Sequence, residues 1–175
     1  MRCASTGIRR GLSEMRILVL LIAALSLAAC GPSAAKQNLD AAQAWMAQNA
    51  KVEGVKTLPS GVQYKVVKTG DPSAPSPKPG DEIKVHYEGK LVSGHIFDSS
   101  YERGEPANMP LDGLIPAWIE ALQQMHPGDE WTLYVPPEQG YGAEGAGNGE
   151  IPPNSVLIFR IELLGVLSHG DSGLG

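Results

Sequence analysis

Apolar residues return at every second position in three short stretches of the chain, and this alternation constrains the fold more than any other feature. Glu82 to Glu88 puts Ile83, Val85 and Tyr87 on one side, Trp131, Leu133 and Val135 repeat the pattern, and Ser155 to Leu164 aligns Leu157, Phe159, Ile161 and Leu163. A period of two marks a strand with one buried face. With 21 glycines and 14 prolines in 175 residues, turns are frequent and strands short, which argues against a helix bundle. SGVQYKVVKTG reads as a strand ending in a turn. Ile96 and Phe97 supply another after turn signals at Gly89 and Ser93-Gly94. The prolines of DPSAPSPKPGD exclude regular structure there and make it an exposed connection.

One stretch of this region changes period. Pro116 suits a first helical position, Trp118, Ala121, Leu122 and Met125 form a stripe, and His126-Pro127-Gly128 stops it. The expected class is α+β: an antiparallel five-stranded sheet wrapped around one short helix. A signal segment and a short helix are expected before it. That earlier helix is the alanine-rich NLDAAQAWMAQNA, with Leu39, Ala42, Trp45, Met46 and Ala50 near one face. Its spacing suits a dimerising or spacer helix and equally a helix packed on its own domain.

The N-terminus reads as a targeting segment. Arg16 precedes ILVLLIAALSLAA, an apolar run short of the roughly 20 residues that span a bilayer. A basic start, a short apolar core and small residues before a cut describe a secretory signal. Leu27-Ala28-Ala29-Cys30 resembles the bacterial lipobox, which implies cleavage before Cys30 and lipid on its sulfur. Cys3 and Cys30 are the only cysteines, so the mature domain is expected to hold neither thiol nor disulfide. Removing residues 1–29 discards Arg2, Arg9, Arg10 and Arg16 against Glu14 alone, making the chain more acidic than its formal -5. An acidic chain gains nothing from anionic lipid, so the acyl chains must hold it. It has no basic footprint for nucleic acid either. The expected segments are targeting, 1–29; linker and helix, 30–57; domain, 58–167; and a flexible tail, 168–175.

Catalytic signatures that form bonds are missing. There is no G-x-S-x-G elbow, and His86, His95, His126 and His169 lie scattered without ligand spacing, so no metal is expected. YGAEGAGNGE lacks the Lys-Ser/Thr of a phosphate cradle and reads as a lid-like loop. No cofactor is expected.

VHYEGKLVSGHIFDSS, LIPAW, GYG, IPPNS and LIFRIELL occur in the order found in FKBP-type peptidyl-prolyl cis-trans isomerases, and the chain resembles that family from about Gly61 to Leu164. QNAKVEGVKTLPSGVQYKVV resembles the junction of Mip-like bacterial members, where a helical dimerisation region precedes the catalytic domain. The resemblance implies a catalytic set of Tyr87, Phe97, Asp98 and Tyr141. It implies substrate contacts from Leu114, Ile115, Trp118, Ile151 and Phe159, with Arg103 holding Asp98. On spacing alone Trp118 and Phe159 read as core residues. Ala107 replaces a frequent pocket aromatic, Ala117 a frequent glycine, and the Tyr141–Ile151 loop is a residue longer than in the smallest members. The expected partners are proline-containing polypeptide clients, macrolide inhibitors of the pocket, and a membrane through lipid on Cys30. The expected place is the cell envelope, facing the periplasm. Gly31 favours the outer membrane, since an aspartate after the cysteine often marks inner-membrane retention. The alternative reading is a non-catalytic module that holds proline-bearing segments.

Overall fold

The computed structural model describes residues 33–167. The expected targeting segment, Cys30 and the expected tail from residue 168 lie outside them. All the elements below belong to one unit that begins at Ala34.

The two longest strands form the centre. β7 (Leu157–Leu167) runs antiparallel to β3 (Glu82–Leu91), with Tyr87 opposite Ile161 and Gly89 opposite Phe159. β6 (Glu130–Val135) flanks β7, β2 (Gln63–Lys68) flanks β6, and β1 (Lys56–Thr57) ends that side. β4 (Ile96–Ser99) ends the other side on β3, and β5 (Ala107–Pro110) also pairs with β3. Period-two burial holds as expected: Ile83, Val85, Leu133, Leu157, Ile161 and Leu163 are fully buried.

The sheet has seven strands and the described residues hold several helices, so the expected five strands around one short helix are corrected. β1 is two residues long, too short to alternate. β5 ends in Pro110 and, among the described residues, pairs only with β3, an edge site where a missing N–H is tolerated. Gly89 lies inside β3 and not in a turn. The preceding helix α1 (Ala34–Asn49) is 16 residues long, about 24 Å. α2 (Ser100–Arg103) is a single turn capped by the Ser99 hydroxyl.

α3 (Pro116–Leu122) begins at its proline and buries Ala117, Trp118, Ala121 and Leu122 against the sheet. It ends before Met125, because the last amides turn back tightly onto Ala121 and Leu122. Asp129 fixes the turn, accepting from the backbone N–H groups of Gly70 and His126. The proline-rich connection has no helix or strand, yet Pro77 is fully buried.

α1 packs on its own domain. Ala42 and Met46 are buried with Val156, and Trp45 lies 5.8 Å from Tyr134. Asn38 donates to the Pro153 carbonyl (2.9 Å), and Asn154 donates back to the Ala35 carbonyl (2.8 Å). At the far end the buried Gln63 amide donates to the Met46 carbonyl and accepts from Asn49.

Candidate active site

α3 delivers Trp118 to the buried face of the sheet, where three rings meet edge to face. Tyr87 of β3 stands 5.2 Å from Trp118 at 83°, and Phe159 of β7 stands 5.3 Å from it at 88°. Phe97 of β4 continues the chain, 5.7 Å from Phe159 at 84°. Edge-to-face contact is a preferred arrangement of aromatic rings and sets the angles of the floor. Above it lies a hollow of about 280 Å³. Leu114 and Ile115, entering α3, close one side, and Tyr141 stands at the mouth, 39% exposed. The Trp118 Nε1–H is buried with no hydrogen-bond partner among the described residues.

Asp98 follows Phe97 directly, yet both line the hollow. The register explains it. Asp98 pairs with Gly89 and Ile96 with Lys90, leaving Phe97 as an extra residue in the ladder. A one-residue bulge breaks strict alternation and lets neighbouring side chains serve one site. Opposite the bulge, Gly89 makes room. A Cβ there would sit 2.6 Å from Phe97 Cε2 and 2.8 Å from Phe159 Cε1, closer than atoms can approach.

The acid is held from two sides. The Tyr87 hydroxyl donates to Asp98 Oδ2, and the Arg103 guanidinium donates to Asp98 Oδ1 and, at 2.9 Å, to the Tyr87 oxygen. Arg103 also lies over the Tyr87 ring, 5.4 Å from its centre. Burial, then the bond to Asp98, pushes the Tyr87 hydroxyl above its usual range, so it stays a donor. The bond to Asp98, then that to Tyr87, raises the Arg103 guanidinium and keeps it charged. Burial, then the Asp98 charge, raises Tyr141, which likewise keeps its proton.

One polar residue substitutes for strand pairing at this point. β5 pairs with β3 at residues 82–85 and β4 at 88–90, leaving a gap opposite Tyr87. The fully buried Ser100 hydroxyl fills it, accepting from the Tyr87 N–H (2.8 Å) and donating to the Tyr87 carbonyl (3.2 Å). His86 Nδ1 lies 2.9 Å from Ser100 Oγ.

Of the residues anticipated from sequence, Ile151 and Arg103 do not line the hollow. Ile151 is buried at the base of the Tyr141–Ile151 loop, bonded both ways to the backbone of Ala146. Arg103 reaches Asp98 from α2. Sequence reasoning missed Met109 and Gly113, which line the hollow, and also Gly89 and Ser100, which support it from the strands without lining it. Met109 sits on the unrecognised strand β5. Gly89 read as a turn, and nothing local distinguishes Ser100 from its neighbour Ser99. A groove of about 340 Å³ runs beside α1, lined by Trp45, Leu91, Pro152 and Val156; of its polar side chains, Asn38, Asn154 and Ser155 donate to backbone carbonyls and Ser93 accepts from the His95 N–H. It holds no acid or base. Among the described residues there is no cluster of three potential metal ligands, and no helix is long and apolar enough to cross a membrane.

Residues 74–164 match the model of the FKBP-type peptidyl-prolyl cis-trans isomerase family, and residues 23–66 match that of the domain amino terminal to it. Peptidyl-prolyl cis-trans isomerase Mip of Coxiella burnetii is 48% identical over 129 residues, which is 74% of this chain and 55% of that protein. The FKBP-type 22 kDa isomerase of Escherichia coli is 48% identical over 123 residues, 70% of this chain and 58% of that one. The chain thus spans little more than half of these relatives. Among solved structures, an isomerase from Pseudomonas syringae superposes with a TM-score of 0.72 at 36% identity, covering 79% of this chain and 99% of that one. FkpA of Escherichia coli gives 0.72 at 38%, covering 89% and 68%.

Proposed function

The chain belongs to the FKBP-type peptidyl-prolyl cis-trans isomerase family, and from that premise we propose that it accelerates rotation about Xaa-Pro bonds in polypeptide clients, inside the hollow above Trp118. Amide resonance opposes rotation by about 18–20 kcal/mol. Before proline both isomers are populated, and uncatalysed exchange takes tens to hundreds of seconds. No bond must form or break; the site has only to favour the twisted amide over the planar one. Planar resonance draws charge to oxygen, and water supports that separation. A dry, ring-lined cup removes the water, so the less polar twisted form gains.

The single observation that supports this reading is the closed polar knot at the edge of an apolar cup. Asp98 is engaged by Tyr87 and Arg103, so it serves as a fixed dipole and not as a base. In the proposed division of roles Trp118, Tyr87 and Phe159 grip the proline ring, and Phe97, Leu114 and Ile115 wall it in. The Tyr141 hydroxyl donates to a client carbonyl, and Arg103 and Ile151 support the site from behind. Each ten-fold gain needs only about 1.4 kcal/mol off the barrier, within reach of such contacts. No cofactor enters this reading.

The test is isomerisation of an Xaa-Pro tetrapeptide. Turnover that a macrolide blocks, and that Asp98→Ala lowers by about ten-fold or more at nearly unchanged melting temperature, is the expected result. Tight binding of the peptide without acceleration would instead make the protein a holding module. We further propose that lipid on Cys30 anchors the mature chain in the cell envelope, facing the periplasm and at the outer membrane. The lipobox-like run before Cys30 is the support. Acyl mass on Cys30, lost with its membrane fraction in Cys30→Ser, is the corresponding check.

A further inference from the structure

We propose that the outer edge of β4 is a recognition surface on which the client residues just before the proline lie as an added antiparallel or parallel strand; this rests on the reading of the hollow as the proline site. β4 terminates the strand order, and its one strand partner among the described residues is β3. The backbone groups of an edge strand that point away from its neighbour are open to another chain. In most folds such an edge is remote from the active site. Here two consecutive residues of the same strand, Phe97 and Asp98, line the hollow, so edge and hollow are continuous. Ile96, 37% exposed, extends the apolar surface along the same strand.

The chemistry of the ligand fits this edge. Steric clash with the proline ring forces the preceding residue into extended conformations. The upstream flank of an Xaa-Pro bond is therefore prepared for strand pairing before it binds. Proline has no N–H to offer a ladder, so it belongs past the last rung, where the hollow begins. The edge is also short. The Leu91–His95 turn bounds it at one end and α2 at the other. Ser99 is buried, so the accessible run is residues 96–98, and alternation leaves about one or two rungs. Recognition through main chain is indifferent to side chains, which suits an enzyme acting on many unfolded clients. It also discriminates against prolines whose upstream residues are already folded.

The experiment uses the full chain and peptides with one fixed Xaa-Pro core, lengthened upstream residue by residue and N-methylated at one amide at a time. Affinity is read by fluorescence anisotropy, and isomerisation separately. Lengthening should tighten binding, and N-methylation at alternate upstream positions should weaken it by roughly 2- to 10-fold, the value of one main-chain hydrogen bond. Amides of residues 96–98 should exchange more slowly with the long peptide than with the short one. No gain with length, N-methyl effects equal at every position or confined downstream of the proline, or unchanged exchange in β4 would each overturn the proposal. Failure of the tetrapeptide to turn over would count against the enzyme reading alone, because affinity and exchange report on the edge independently.

Discussion

At the scale of single residues, Gly89 decides whether the rings can assemble. It supports no turn; its hydrogen lies where any side chain would meet Phe97 and Phe159. Gly89→Ala is expected to push both rings aside, costing about 1–3 kcal/mol of stability through overpacking. Isomerisation should fall by about ten-fold or more, since those rings form the cup. Pairing it with Phe97→Leu should restore melting temperature ahead of turnover, which thermal melts and the tetrapeptide assay will separate. Trp118, Asp98, Tyr87 and Tyr141, which the motifs of the resemblance had marked, do line one hollow, although spacing alone put Trp118 in the core. Gly89 and Ser100 act through what they leave empty or whom they touch, and neither property can be read along a chain.

At the scale of elements, alternation identified β3, β6 and β7 because each buries one face. β1 and β5 stayed hidden because short edge strands have too few residues to show a period. α1 was visible as a helix, but the polar contacts that attach its start lie more than 100 residues away in sequence. That attachment can be tested. Asn154 has a positive φ of 56°, so glycine is the replacement that removes its side chain without backbone strain. Asn38→Ala with Asn154→Gly should loosen the start of α1, at about 0.5–1.5 kcal/mol per lost bond. Hydrogen exchange should quicken in the first turns of α1, while the Gln63 end stays protected and turnover stays within about two-fold.

At the scale of the whole molecule, stability depends on tyrosines remaining protonated. Burial raises Tyr87, Tyr101, Tyr134 and Tyr141 above the ordinary 10.0. For a group whose folded value is raised, the contribution is complete below the unfolded value and disappears as pH climbs through the folded one. Melting temperature should therefore hold level up to about pH 9.5 and fall beyond about pH 10. Tyr87→Phe should soften that fall, and a melting temperature indifferent to pH between 9 and 12 would contradict it. The α+β class was legible because strand and helix periods occupy separate stretches. The extent of the sheet was not, since it depends on which edges find partners.

The gap between β4 and β5, closed by one serine hydroxyl, has a consequence for self-association. A continuous flank along β3 would offer neighbouring copies a long template for fibre growth. Broken at Tyr87 and displaced by a helical turn, the margin presents only brief runs of open backbone. β4 and β5 are each 4 residues long, shorter than the roughly six- or seven-residue segments that stack into fibres.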